Sequence, residues 1–154
     1  MIEIREGLSP EELAVIYMAP EIQKVGYDNN PAYPVYCENV TYLGCFVHDE
    51  LVGAYLMVRC SDYEFDVHSL ILDRAIYYSR HFCELMFEWV FRHKEVLRLT
   101  GYVMEDFLTM RNHAAKMGFK LEGFRRDALM INGEPKGLHV MGITRKDWEN
   151  GRDR

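Results

Sequence analysis

Residues 65–104 read FDVHSLILDRAIYYSRHFCELMFEWVFRHKEVLRLTGYVM. The run 65–72 is rich in β-branched and apolar side chains and predicts a strand. Residues 79–92 carry Phe82, Leu85, Met86 and Trp89 at helical spacing, and that stripe predicts a core-facing helix. Residues 97–104 return to strand. A strand, a helix and a second strand in this order require a crossover, which makes the two strands parallel neighbours.

Outward from this unit the turns are short. Residues 40–47 and 51–60 are two β-rich runs joined by His48-Asp49-Glu50, a hairpin connection. Residues 119–131 and 136–145 flank Asn132-Gly133, a strong hairpin signal. Residues 2–5 alternate as a first strand. Ser9-Pro10-Glu11-Glu12 predicts a capped helix start, with Leu13, Ile16 and Tyr17 on one face and a break at Pro20. Asp106 is the predicted cap of a further helix, which Gly118 ends. The expected fold is therefore α+β. One domain over residues 1–148 is built on a mixed, mostly antiparallel sheet of about seven strands flanked by helices. Residues 149–154 form a polar tail, and the chain from Lys146 is expected to fray.

The chain has 154 residues, 49% of them apolar, and a formal charge of −6. These values suit a single globular domain. Acidic balance argues against nucleic acid as a partner. No apolar run is long enough to span a bilayer. Cys37, Cys45, Cys60 and Cys83 form no C-x-x-C pair and read as free thiols in a reducing, cytoplasmic setting. The charge is uneven. Residues 1–91 hold 5 basic and 15 acidic side chains, and residues 92–154 hold 13 and 9.

The element order resembles that of the GNAT superfamily of N-acetyltransferases. Residues 103–119 (VMEDFLTMRNHAAKMGF) and 121–148 (LEGFRRDALMINGEPKGLHVMGITRKDW) carry most of the likeness. The resemblance implies acetyl-CoA as cosubstrate and an amine acceptor, either a small molecule or a protein. It implies that the strands 65–72 and 97–104 splay, so that backbone at Leu70, Ile71 and Leu72 meets the cofactor. It places the phosphate loop at Arg74-Ala75-Ile76-Tyr77-Tyr78-Ser79, followed by Arg80 at the helix start. There, free amides and the helix dipole would hold pyrophosphate. Tyr77 stands where the family has glycine. Phe107 stands where it often has asparagine, and Ala114 where it has a tyrosine acid. Arg111 is a further candidate for the CoA phosphates.

Acyl transfer needs a proton taken from the amine and one given to the leaving thiolate. Asp66 and His68 are two apart on one strand face and are the candidate base pair. Tyr102, Tyr77 and Tyr78 are candidate acids, and the sequence does not select among them. The turn-rich loop 26–39, with Tyr27, Asp28, Asn29 and Tyr33, is the candidate acceptor loop. The departures favour a second expectation. The C-terminal pattern also resembles diverged GNAT-like proteins of tailed bacteriophages, which implies a non-catalytic assembly role beside virion proteins. A homodimer is compatible with the first expectation, in place of the virion partners of the second.

Overall fold

The computed structural model describes residues 1–24, 37, 39–93 and 95–152. Seven strands form one sheet in the order β1-β2-β3-β4-β5-β7-β6. They are β1 (Ile2–Glu6), β2 (Val40–Val47), β3 (Glu50–Arg59), β4 (Glu64–Ile71), β5 (Arg98–Met104), β6 (Lys120–Ile131) and β7 (Glu134–Thr144). The helices are α1 (Pro10–Tyr17), α2 (Pro20–Lys24), α3 (Ser79–Arg92), α4 (Leu108–Met117) and α5 (Arg145–Arg152). β4 and β5 pair parallel, and every other neighbouring pair is antiparallel. The crossover through α3 is the reason, as the stretch 65–104 predicts.

Local chemistry fixes the remaining elements. Ser9 and Glu12 close a reciprocal capping box at α1, with Pro10 at the first helical position. Both tight hairpins use left-handed residues. His48 and Asp49 have φ of 48° and 66°, and Asn132 and Gly133 have 49° and 79°. Such turns follow the twist of the strands they join.

Alternation along the strands divides the apolar side chains between two cores. One lies under α3 and includes Met57, Phe65, Leu99, Met141 and Ile143 from the sheet. Against them α3 sets Phe82, Met86 and Val90, all 0–1% exposed. The other core lies under α1, where Leu13 and Ile16 meet Tyr42, Phe46, Ala54 and Leu72.

Three expectations are corrected. The C-terminal segment does not fray, because α5 runs to Arg152. Asp147 accepts from the Thr144 N–H at 3.2 Å and donates its own N–H to Thr144 Oγ1 at 3.1 Å. Trp148 stacks on Phe91 at 5.2 Å between centroids. Asp106 is not a cap, because α4 starts at Leu108 with Phe107 in the cap position and no side-chain bond. Asp106 instead pairs with Lys136 at 3.0 Å. Residues Asp73–Tyr78, expected as an open loop, wind into a 3-10 helix that runs straight into α3.

The α5 cap gives a pH dependence. A hydrogen bond from Lys120 and then the Thr144 N–H hold the Asp147 carboxyl below its ordinary value of 3.8. A depressed folded pKa adds stability above the unfolded value, and that stability is lost as pH falls through the folded one. Denaturant melts between about pH 4 and pH 2 should therefore show a shallower loss of stability in Asp147→Asn than in the parent.

Candidate active site

β4 and β5 pair from Glu64 opposite Arg98 as far as Val67 opposite Gly101. Beyond that point they separate. β4 stays on β3 through Ile71 opposite Gly53, and β5 stays on β7 through Met104 opposite Leu138. The result is a wedge-shaped opening in the middle of the sheet. Leu72 donates its N–H to the Val52 carbonyl at 3.0 Å. Strand backbone groups alternate sides, so Leu70 also faces β3, while Ser69 and Ile71 turn their N–H and C=O into the opening. Of the three expected cofactor-facing backbones, Ile71 has this orientation. Leu70 and Leu72 are committed to β3, and Ser69 takes the place beside Ile71.

The catalytic candidates come together on the α1 side of the sheet. Glu64, Asp66 and His68 share that face of β4 by their two-residue spacing, and Thr100 and Tyr102 share it on β5. Asp66 stands opposite Thr100 in the register. Burial raises the Asp66 pKa, and the Glu64 charge adds to this. A hydrogen bond with Cys60 and the His68 and Arg98 charges oppose it. Burial lowers the His68 pKa, against the pull of Asp66. The imidazole is therefore neutral near pH 7 and able to accept a proton. Burial and then the Asp66 charge raise the Tyr102 phenol, which therefore keeps its proton and can donate it.

Side chains not singled out in the sequence frame this cluster. The Thr100 hydroxyl is 3% exposed and donates to Glu64 Oε2 at 2.7 Å. Arg98 bridges Glu64 at 3.4 Å and Glu122 across to β6. The Arg125 guanidinium lies 5.8 Å from the centre of the Tyr102 ring. Alternation along β5 would have placed Thr100 and Tyr102 together. The β6–β7 register that brings in Glu122 and Arg125 is bulged, and nothing in the sequence marks it.

The expected phosphate contacts are arranged differently. Arg74 pairs with Glu50 at 3.1 Å and donates to the Leu51 carbonyl at 3.4 Å. Arg80 pairs with Glu84 at 3.6 Å. Tyr77 does not block the opening: it is 88% exposed and meets Tyr78 edge-on. Tyr78 and Phe107 pack against the core under α3. Arg111 lies one turn into α4, its N–H bonded to the Phe107 carbonyl at 3.0 Å. The Ser79 N–H is taken by the Ile76 carbonyl as the 3-10 helix enters α3. Tyr27, Asp28, Asn29 and Tyr33 lie outside the described residues.

Cys83 sits on the buried face of α3, which pushes its thiol up to about 12 and removes it as a nucleophile. No group of three or more metal-ligating side chains occurs among the described residues. A groove of about 560 Å³ lies between α3, α4 and α5, lined by Phe87, Lys116, Trp148 and Arg152 among others. It receives no residue from β4 or β5, and Arg80 at the start of α3 is also among its lining residues.

A seven-stranded sheet of this order, split between β4 and β5, is the GNAT fold. A structure of spermidine N-acetyltransferase from Vibrio cholerae, in complex with CoA and spermine, superposes with a TM-score of 0.81. It is 13% identical, with 97% of this chain and 98% of that one covered. An acetyltransferase of the GNAT family from Streptococcus pneumoniae gives a TM-score of 0.71 at 15% identity, covering 94% of this chain and 99% of that one. The model of the family described as "Protein of unknown function (DUF2824)" matches residues 14–154, and the chain belongs to that family. No curated protein sequence matches.

Proposed function

We propose that the chain is an N-acyltransferase that moves an acetyl group from the thioester of acetyl-CoA to an amine. One observation carries this reading. The separation of β4 from β5 after Val67 and Gly101 leaves backbone groups without a strand partner among the described residues, beside Asp66, His68 and Tyr102. A thioester lying against β4 would set its carbonyl near the Ile71 or Ser69 N–H, which polarises it. His68 takes the proton of the incoming amine, with Asp66 stabilising the imidazolium. The amine nitrogen bonds to the carbonyl carbon, and the carbon–sulfur bond breaks. Tyr102 gives its proton to the departing thiolate and regains one from solvent. The carboxylates of Glu64 and Asp66 favour a cationic acceptor. The loop at 26–39 is the proposed place for the rest of it.

Acetyl-CoA at about 1 mM should raise the melting temperature by a few degrees, since a ligand of the native state alone stabilises it. Thiol release in the presence of polyamines or peptide amines should then rise above hydrolysis. An unchanged melting temperature contradicts the reading.

The acid limb of the rate should follow His68. Because burial lowers its pKa from 6.5, the half-maximal point should fall below pH 6.5. The Asp66 charge favours the imidazolium. Asp66→Asn should therefore move this limb to still lower pH, while a purely structural Asp66 would leave it in place.

A second reading is favoured by the 3-10 helix Asp73–Tyr78, which takes up backbone groups that a phosphate would need. It is a GNAT fold kept as a non-catalytic assembly part, the role implied by the resemblance to tailed-phage proteins. The same acetyl-CoA titration separates the two.

A further inference from the structure

We propose that the donor opening reads an acyl-pantetheine arm, and that the nucleotide end of CoA adds little to its affinity. This rests on the acyltransferase reading above and names the part of the donor that the protein recognises.

The opening suits a peptide-like arm. Ser69 and Ile71 present strand-type N–H and C=O groups on a β4 edge that β5 has left. Pantetheine is a linear chain with two amides, and such a chain can add to a free edge as a short strand.

The next part of CoA is a pyrophosphate, and it needs free amides or cations. In the segment that leaves β4, the Asp73, Ala75 and Ser79 amides and the guanidiniums of Arg74 and Arg80 already have partners. The Asp73 N–H is held by Glu21 Oε2 at 3.0 Å. The Ala75 N–H is held by the Leu72 carbonyl at 2.9 Å, and the Ser79 N–H by that of Ile76. The 3-10 winding also moves the start of the helical run from Ser79 back to Asp73, where Asp73 and Glu21 bring two carboxylates. The nearby guanidiniums of Arg74 and Arg80 face Glu50 and Glu84. Among these side chains four carboxylates stand against two cations, and of the two only Arg80 also lines the groove that holds Lys116 and Arg152. A phosphate that recruited Arg74 would have to displace Glu50 and remain beside its charge.

The pantetheine arm occurs on free CoA and on the phosphopantetheine group of carrier proteins. The chemistry at β4 is the same for both.

Calorimetric titration of the full chain tests this with three donors: S-acetyl-pantetheine, acetyl-CoA, and a carrier protein bearing acetyl-phosphopantetheine. Acetyl-pantetheine and acetyl-CoA should bind within about threefold of each other, a negligible difference in free energy. Acetyl-CoA affinity should hardly change with salt, because no phosphate contact is being screened. Arg74→Ala should leave the acetyl-CoA affinity within about twofold. A carrier binding about tenfold tighter than acetyl-pantetheine supports the inference and identifies a carrier as the source, and equal binding supports it with a free thioester. Acetyl-CoA binding about thirtyfold tighter than acetyl-pantetheine, or losing about tenfold on Arg74→Ala, overturns the inference and leaves the acyltransferase reading standing. Failure of all three donors to bind overturns both.

Discussion

His68→Ala should lower the rate of acetyl transfer by about 10²- to 10⁴-fold, the usual contribution of a positioned general base. The expectation follows from three features of the site. His68 shares a strand face with Asp66, beside the point where β5 departs. Burial keeps the imidazole neutral, so it is ready to accept a proton at pH 7. Burial, and then the Asp66 charge, make Tyr102 hold its phenolic proton more tightly than a free tyrosine, which suits a donor and not a base. The loss should appear in kcat, with donor affinity unchanged, because in the proposed mechanism the side chain acts on the acceptor amine and backbone groups hold the donor. Stability should change little: His68 keeps part of its surface in solvent, although its ring is surrounded closely enough for desolvation to lower its pKa, and it belongs to neither core. A kcat within about threefold of the parent would remove His68 from the mechanism.

Phe82→Ala should cost about 3–5 kcal/mol of stability, the range for emptying a buried aromatic site. Phe82 is 0% exposed and lies in the first turns of α3, against the strands of the larger core. Its neighbours Met86 and Val90 continue the same stripe and hold the helix in place, so the cavity cannot close by a local shift. For a domain of this size the loss amounts to roughly 10 °C in Tm. Small domains are stable by only about 5–15 kcal/mol, so the variant should be marginal. Thermal melts followed by far-UV circular dichroism measure this directly. A shift below about 3 °C would mean that the helix packs elsewhere.

The fold was legible because its strongest signals are local. The hydrophobic stripe of 79–92 between two β-rich runs requires a crossover, and Asn132-Gly133 and His48-Asp49 require tight hairpins. The pairing of Asp66 with His68 was legible for the same reason, since a period of two is a property of the strand alone. What stayed hidden depends on long-range partners. The engagement of Arg74 with Glu50 reflects how the hairpin end lies against residues 73–78. The winding of Asp73–Tyr78 into a 3-10 helix follows from a Glu21 carboxylate 52 residues earlier in the chain, together with the absence of glycine. The α5 helix carries no apolar stripe that the sequence would mark, because its residues are polar. Its stability comes from the Thr144–Asp147 cap and from Trp148 lying on Phe91.

The separation of β4 and β5 is the proposed thioester-binding site. Amide chemical-shift mapping with acetyl-CoA tests it most directly. The predicted result is a set of saturable shifts at Ser69, Ile71 and Tyr102–Met104, on the two sides of the opening. Shifts confined to the groove between α3, α4 and α5, or no shifts at millimolar acetyl-CoA, would contradict it.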